Sequence, residues 1–571
     1  MPARPDTHLL LRAFADELAR CGVREACTSP GSRSSPLVLA LAREERLRCF
    51  SHIDERCAGF FALGAAKRSG RPVAITCTSG TAAANLAPAV IEAYQARVPL
   101  VVLTADRPPE LREVGAGQAI DQIDLYGSAA KWFFEVGTHD ATPARGRWMR
   151  ALACRAVWTA LDGRPGPVHL NFALREPLVA PAQLGDDPQP GRSGGRPWLL
   201  RSTPGEDAAA AGRALAVVAR DAHRPVVVAG RAEPGLEAVA AACERLGWPL
   251  LADPLSGARR GGAAIAHYDA LLRVEDFAAA RRPDLILRCG DLPTSKPLRT
   301  WLDGLGEDVT QLGFDPHGAW QDPGASLELV LAAGAAQTLA AAVGHTPTAD
   351  PEWLAAWRAA DAAAATAIDG VLGDDGLSEP LVARALAAHL PSDATLFVAS
   401  SMPVRDVESF AAVRHDAPPA LCNRGANGID GTVSSAFGVA AVATRVVLLI
   451  GDVALAHDIG GLLAARRLGL ALTIVLLDND GGGIFEFLPI AGERDIFEQH
   501  VATPHGLDFA HAAALYGCAY TDVEDVAGLR SALADALAGD GTTIIRVASE
   551  RAANRALHRA LAAAVAAALE R

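Results

Sequence analysis

Val446-Val-Leu-Leu-Ile450 runs straight into Gly451-Asp452, and Thr473-Ile-Val-Leu-Leu477 runs into Asp478-Asn479. A short apolar, β-branched run closed by Gly, Asp or Asn reads as a strand buried on both faces and ended by a turn. The spacing 479 − 452 = 27 leaves room for one helix and a return to the adjacent parallel strand. Both polar side chains then stand at the carboxyl ends of neighbouring strands, where open parallel sheets take their ligands. An Asp carboxylate, an Asn amide oxygen and a backbone carbonyl, that of Gly481, are hard oxygen donors. Joined by two diphosphate oxygens and a water, they make an octahedral set for Mg2+. The run of glycines from Gly481 to Gly483 lets the backbone turn a carbonyl toward the ion. Taken singly, each of these residues is also an ordinary strand-end turn residue.

The same alternation extends in both directions. Val73–Cys77, Leu100–Thr104, Val226–Ala229, Leu285–Leu287, Leu396–Val398 and Thr543–Val547 read as further strands, with Ala/Leu-rich helical stretches between them. Strands alternating with helices give parallel sheets covered on both faces. Val73–Cys77 leads into Thr78-Ser79-Gly80-Thr81 and a helical stretch, repeating the strand, tight loop and helix seen at Gly451-Asp452. Such a layout aims backbone N–H groups at an anion. Pro181–Glu206 and Gly344–Pro351 are rich in Pro, Gly and polar residues and read as linkers. The expected architecture is α/β, with three doubly wound parallel-sheet domains at 1–182, 205–343 and 375–571 and a connecting helix over 352–374. The alanine-rich tail after Arg551 reads as a terminal helix.

Composition narrows the function classes. The 571 residues carry 53 Lys+Arg against 66 Asp+Glu, a net charge of −13, without a basic block that would neutralise nucleic-acid phosphates. Only three of the cations are lysines (Lys67, Lys131 and Lys296). None of the ten cysteines forms a CxxC pair, so reduced, buried thiols of a cytoplasmic protein are expected rather than zinc ligands or a disulfide framework. No secretory leader is read at the start, and no uninterrupted apolar run approaches the roughly 18 residues of a membrane span.

Glu55 lies in His52-Ile-Asp-Glu-Arg-Cys-Ala-Gly-Phe60, where Asp54 is placed to cap a helix running to about Lys67, before Ser69-Gly70. On its own, Glu55 reads as a partner for the helix dipole.

Gly451-Asp452 with Asn479, together with Gly166-Pro-Val-His-Leu-Asn171, resembles the signature of thiamine-diphosphate enzymes. The resemblance implies thiamine diphosphate held through Mg2+ (or Mn2+) by Asp452, Asn479 and Gly481, and it puts Glu55 beside the aminopyrimidine ring. There the glutamate would set the proton position that lets the cofactor serve as its own base.

Thr28-Ser-Pro-Gly-Ser-Arg-Ser-Ser-Pro36, Thr104-Ala-Asp-Arg-Pro-Pro-Glu110, Asn423-Arg-Gly-Ala-Asn-Gly-Ile-Asp-Gly431 and Gly482-Gly-Ile-Phe485 with Leu488-Pro489 narrow the likeness. Across nearly the whole chain it resembles the 2-succinyl-5-enolpyruvyl-6-hydroxy-3-cyclohexene-1-carboxylate synthases of menaquinone biosynthesis. That family decarboxylates 2-oxoglutarate and adds the succinyl unit to isochorismate. The resemblance assigns substrate carboxylates to Arg33, Arg107, Lys296, Arg405 and Arg424, with Ser32, Gln118 and Ser401 as neutral donors. It places Ser79, Gly80, Ser401, Ile429 and Ile484 against the cofactor, with Ile429 as the wedge beneath it, and Phe485 and Leu488 along the substrate channel. Arginine suits carboxylates because its planar fork pairs both oxygens, although any one of the fifty arginines would ordinarily be a solvated surface residue. The arginines singled out are expected in turns after strands or before helices.

Gly117, Pro297 and Asp478 depart from the family pattern and bear on fine substrate contacts. A homodimer or homotetramer with active sites between subunits is also implied. The competing readings are an acetohydroxyacid-synthase-like carboligase and a non-catalytic thiamine-diphosphate-binding protein. Gly230-Arg-Ala-Glu-Pro-Gly235 is too weak a pattern for the flavin site of the first, and retention of Glu55 speaks against the second.

Overall fold

The structure is a computed structural model that describes residues 6–179, 184–201, 207–231, 235–373 and 376–570. Parts of the stretch read as a linker, 181–183 and 202–206, lie outside the described residues, as does 232–234 in the glycine pattern at Gly230.

Three sheets are present, and every strand pair in them is parallel. The first holds β1 (Glu25–Thr28), β2 (Arg48–Ser51), β3 (Val73–Cys77), β4 (Leu100–Asp106), β5 (Phe133–Glu135) and β6 (Pro167–Ala173), in the order β2-β1-β3-β4-β6-β5. The second holds β7 (Pro225–Ala229), β8 (Leu250–Ala252), β9 (Leu285–Cys289), β10 (Thr310–Phe314) and β11 (Leu329–Leu331), in the order β11-β10-β9-β7-β8. The third holds β12 (Thr395–Val398), β13 (Ala420–Leu421), β14 (Val446–Gly451), β15 (Thr473–Asp478), β16 (Ala519–Asp522) and β17 (Thr543–Ala548), in the order β13-β12-β14-β15-β17-β16. Renumbered from its own first strand, the third sheet repeats the order of the first, 2-1-3-4-6-5. The central strands β3, β4, β6 and β15 are buried at every position, which is why β3, β4 and β15 read as largely apolar runs rather than alternating ones, while β6 carries His169 and Asn171 in its interior.

The chain forms two compact units. One comprises residues 1–203, 423–444 and 457–472 and holds the first sheet; the other comprises 204–422, 445–456 and 473–571 and holds the second and third. The connecting helix expected over 352–374 is present as Pro351–Leu372, and the terminal helix expected after Arg551 as Arg551–Leu569. No helix among the described residues is long and apolar enough to cross a membrane.

One helix of the first unit sets the position of Glu55. It spans Glu55–Ser69, is capped by Asp54, whose carboxylate accepts from the backbone N–H of Arg56 and Cys57, and ends at Gly70 with φ 67°. Every residue from Cys57 to Ala66 is buried, so the helix is apolar all round and needs neighbours on all sides. One neighbour is the helix Thr432–Ala440, buried from Thr432 to Val439. The two meet backbone to backbone. A Cβ on Gly64 would lie 1.9 Å from the Ser435 carbonyl oxygen, and one on Gly438 would lie 1.9 Å from that of Phe61. Neither obstacle is a flexible side chain, so the helices themselves would have to separate. Gly64→Ala or Gly438→Ala is therefore expected to lower stability by about 1–3 kcal/mol, the usual range for overpacking. Urea unfolding measures this, and an unchanged midpoint in both variants would contradict the close crossing.

Candidate active site

The candidate residues of the first unit gather at the carboxyl ends of four adjacent strands, β2, β1, β3 and β4. Ser32 and Arg33 follow β1, Glu55 follows β2, Ser79 and Gly80 follow β3, and Arg107 follows β4. Hydrogen bonds join several of them. The Arg107 guanidinium donates to Ser79 Oγ at 2.8 Å and to the Gly117 carbonyl at 2.7 Å. Ser79 Oγ donates to the Gln118 carbonyl at 2.9 Å, and the Gln118 amide returns a bond to the Ser79 carbonyl at 3.0 Å. Gln118 itself has φ 58°, a left-handed turn that folds this loop back over β3. Gly117 thus contributes its carbonyl to hold Arg107, a role that needs no side chain.

Burial first, and next the charge of Arg33, lower the proton affinity of Arg107, with Asp106 and Glu176 acting against them. Arg33 is steadied by the Leu174 carbonyl at 2.9 Å and by Glu176 at 3.5 Å. Ser32 is exposed. Glu55 is half-buried, and its charge adds to burial in pushing the Cys77 thiol at the end of β3 upward.

The expectation that backbone N–H groups of the loop after β3 meet an anion needs correction at Gly80. Its N–H donates to Gln122 Oε1 at 2.9 Å, and the helix that follows, Thr81–Asn85, is barely more than one turn long. Gln122 is locked in turn. Its amide donates to Asn171 Oδ1 at 2.9 Å, and Asn171 donates to Asp106 at 2.9 Å and Glu135 at 2.7 Å, while Arg112 pairs with both of those acids. The asparagine ending Gly166-Pro-Val-His-Leu-Asn171 therefore fixes the loop that carries Ser79 and Gly80. A buried unpaired amide would be costly, and this network leaves neither Gln122 nor Asn171 without partners.

Arg424 and Ile429 lie in the segment 423–431, which a buried ion pair holds. Glu92, 3% exposed, accepts the backbone N–H of Gly425 at 2.9 Å and of Ala426 at 2.6 Å. Lys67 stands 3.7 Å from Glu92 and donates to Asn423 Oδ1 at 2.9 Å. One of the three lysines is thus explained by loop positioning. A Cβ at residue 425 would meet the backbone of Glu92 at 2.6 Å, so only glycine fits there. The Ile429 carbonyl accepts the Thr432 hydroxyl at 2.7 Å.

In the second unit, Asp452 and Asn479 follow the paired strands β14 and β15. Asp452 is 2% exposed; its Oδ2 accepts the N–H of Asn479 at 3.1 Å and of Gly481 at 2.9 Å, and its Oδ1 that of Val453 at 2.6 Å. Burial raises the Asp452 pKa, with the Gly481 bond and the charge of His505 acting against it. His505 Nε2 lies 3.3 Å from Oδ2 without the alignment of a hydrogen bond. Asn479 Oδ1 is buried and has no hydrogen-bond partner among the described residues, while its Nδ2 donates to Glu379 at 2.8 Å. A carboxylate with lone pairs left over and an orphaned amide oxygen beside it form a donor set suited to a hard divalent cation. Gly481 has φ 142°, and a Cβ there would meet the Ala502 carbonyl at 2.6 Å. Asp478 is engaged elsewhere, pairing with Arg546 at 2.6 Å.

Arg405 is not in a turn as expected. Ser401, at φ 76°, closes the turn, and Arg405 lies in the first turn of the helix Met402–Phe410 with its guanidinium on the Ser401 carbonyl. Lys296 opens the helix Lys296–Gly304 and is exposed. Ile484 and Phe485 lie in the 3-10 turn Gly483–Phe487; Phe485 packs on Ala491, Phe497 and Ala502, and Leu488 is 46% exposed.

Sequence reasoning missed Glu379, Gln122, Glu92 and His505. Glu379 stands at a helix start in Ser378-Glu379-Pro380, a pattern that reads as solvated capping, yet it is 1% exposed. Glu92→Ala would leave Lys67 without its buried acid and two N–H groups without acceptors. A loss of about 3–5 kcal/mol is expected by calorimetry or denaturant unfolding, with a distinctly smaller loss for Glu92→Gln. Equal losses would mean that the charge is immaterial.

Comparison with known proteins adds to this geometry. Residues 10–125 match the model of the thiamine pyrophosphate enzyme N-terminal TPP binding domain, 195–398 that of the middle domain of thiamine pyrophosphate, and 409–547 that of the C-terminal TPP binding domain. The chain is 43% identical over 567 residues to a 2-succinyl-5-enolpyruvyl-6-hydroxy-3-cyclohexene-1-carboxylate synthase of Halobacterium salinarum, covering 96% of each protein. It is 44% identical over 561 residues to the synthase of that name from Geobacillus kaustophilus, covering 95% of each. The protein of that name from Chloroflexus aurantiacus is 43% identical over 564 residues, covering 95% of this chain and 93% of its own.

Proposed function

We propose a reaction for this chain from one premise: it belongs to the 2-succinyl-5-enolpyruvyl-6-hydroxy-3-cyclohexene-1-carboxylate synthase family of thiamine pyrophosphate enzymes. The reaction is decarboxylation of 2-oxoglutarate and addition of the succinyl unit to isochorismate. The observation that carries it is Arg107, fixed at the carboxyl end of β4 by hydrogen bonds to two neutral groups, Ser79 Oγ and the Gly117 carbonyl, with Arg33 after β1 of the same sheet. Two reactants that bring several carboxylates account for such an arrangement; a small neutral acceptor does not.

When bound, thiamine diphosphate supplies the carbon nucleophile and the electron sink for cleaving the 2-oxoacid and passing on its remaining carbons. The residues that would hold it are Asp452, Asn479 and the Gly481 carbonyl through Mg2+ or Mn2+, with Ser79, Gly80, Ser401, Ile429 and Ile484 against its rings. Glu55 holds a proton toward the pyrimidine, from a helix start capped by Asp54 and anchored by the buried residues from Cys57 onward. Arg33, Arg107, Lys296, Arg405 and Arg424, with Ser32 and Gln118, orient substrate carboxylates. Phe485 and Leu488 supply the apolar wall that limits water.

The proposal divides the labour among 1–182 (pyrimidine), 205–343 (central) and 375–571 (diphosphate and metal), and it includes a homodimer or homotetramer with active sites between subunits. A cytoplasmic location is part of it and accords with ten cysteines that form no disulfide.

Incubation with thiamine diphosphate, Mg2+, 2-oxoglutarate and isochorismate tests the reading. Isochorismate is expected to disappear only when cofactor and oxoacid are both present. Oxoacid decarboxylation indifferent to isochorismate would point instead to a simpler decarboxylase or carboligase. Glu55→Gln is expected to lower turnover by about 100-fold or more while magnesium-dependent cofactor binding persists. Wild-type turnover in that variant would remove Glu55 from the chemistry.

A further inference from the structure

Glu379 has no part in the chemistry above, yet the second unit buries it beside a candidate cation ligand. It opens the helix Glu379–His389 behind the N-cap Ser378, where a carboxylate ordinarily faces water and the helix dipole. Here it turns inward and is 1% exposed. Its Oε1 accepts two hydrogen bonds, from Asn479 Nδ2 at 2.8 Å and from Ser549 Oγ at 2.7 Å. Burying an acid is costly, and the fold keeps one at this position where an apolar residue would pack more cheaply.

The consequence is geometric. Oε1 is the acceptor for the Ser549 hydroxyl as well, so the end of the Asn479 amide that faces it is the NH2 group. The amide oxygen is thereby forced to the other side. That oxygen is the one that is buried without a hydrogen-bond partner, on the residue whose backbone N–H donates to Asp452. Without Glu379, rotation of the Asn479 amide by half a turn would exchange oxygen for NH2 at little cost and would present donors to a cation.

We propose that Glu379, itself steadied by Ser549, is a positioning residue that locks the Asn479 amide with its oxygen toward the cation site at Asp452. The inference rests on the reading of Asp452, Asn479 and Gly481 as the ligands. Polar groups behind metal ligands typically matter by 10–100-fold in metal affinity.

The test is Mn2+ binding by the full-length protein in the presence of thiamine diphosphate, followed by the loss of the free-ion electron paramagnetic resonance signal. Glu379→Met, an apolar residue of similar length that suits a buried position, is expected to weaken Mn2+ binding about tenfold or more. Glu379→Gln, whose amide oxygen still accepts from Asn479, is expected to stay within a few-fold of wild type. Ser549→Ala is expected to fall between them. Unfolding midpoints without metal separate this from a merely structural role: Glu379→Met should keep its midpoint while losing affinity. Wild-type Mn2+ affinity in Glu379→Met, or equal loss in Glu379→Met and Glu379→Gln, overturns the inference. Should Asn479→Ala itself bind Mn2+ as wild type does, the ligand reading fails first, and the inference falls with it.

Discussion

The crossing of the helices Glu55–Ser69 and Thr432–Ala440 is the contact on which much of the first unit depends. Two glycines, Gly64 and Gly438, bring backbone against backbone, and Ser435 Oγ donates to the Phe60 carbonyl at 3.1 Å. Gly431, at φ 61°, enters the second helix directly over the Phe60 ring, where a Cβ would lie within 1.8 Å of a ring carbon. The first helix begins at Glu55, and the second is preceded by the segment carrying Arg424 and Ile429. Their separation is thus set by atoms that cannot move independently of the main chain. Interiors packed this closely transmit small displacements rather than absorbing them, which suits the proton-positioning role proposed for Glu55.

Against that rigid contact, the fold also carries a cost in buried acids. Asp458 is fully buried, and burial pushes its carboxyl up to about 6, although it accepts from the Ser434 N–H at 2.7 Å and hydroxyl at 3.2 Å. Glu379 is pushed up to about 7, by burial first and the charge of Asp406 second. Both acids sit where they fix other groups: Asp458 holds the start of the helix Thr432–Ala440, and Glu379 holds Asn479. Desolvated carboxylates detract from stability unless hydrogen bonds compensate. Their placement behind loop and ligand residues fits the general tension between stability and a preorganised site.

Much of this was legible in the sequence, for physical reasons that can be named. Central parallel strands bury both faces, so Val73–Cys77 and Val446–Ile450 announce themselves as apolar runs, and the first matches its strand residue for residue. Asp54 and Gly70 mark helix ends through capping chemistry that acts locally. Edge strands such as Arg48–Ser51 and Ala519–Asp522 escaped because half-exposed pairs carry no such pattern. Within the candidate site, the residues read at strand ends do lie there, whereas the residues that hold them were not foreseen. Glu92, Gln122 and Glu379 act on residues 333, 42 and 100 positions away. A lone Glu or Gln in a helix or loop reads as solvated until the fold brings its partner to it. Arg405 shows the converse error: its neighbourhood of Ser and Pro reads as a turn, but the positive φ at Ser401 ends the turn one residue before the helix.

The first and third sheets repeat one strand order but carry opposite chemistry. The carboxyl ends of the first bear Arg33, Glu55, Ser79 and Arg107, and those of the third bear Asp452 and Asn479 with backbone donors. Strand order therefore does not decide what each sheet binds; the few residues after each strand do. The glycine loops make the point most sharply. Gly80 and Gly451 follow equivalent strands, β3 and β14, yet the N–H of Gly80 is consumed by Gln122, while the residue after Gly451 is an acid held by three backbone N–H groups. One loop is closed by a glutamine from beyond β4 and presents the Ser79 hydroxyl, to which the Arg107 guanidinium donates. Beside the other, in the turn after β15, Asn479 Oδ1 is buried with no hydrogen-bond partner among the described residues, an oxygen that suits a cation or an added donor.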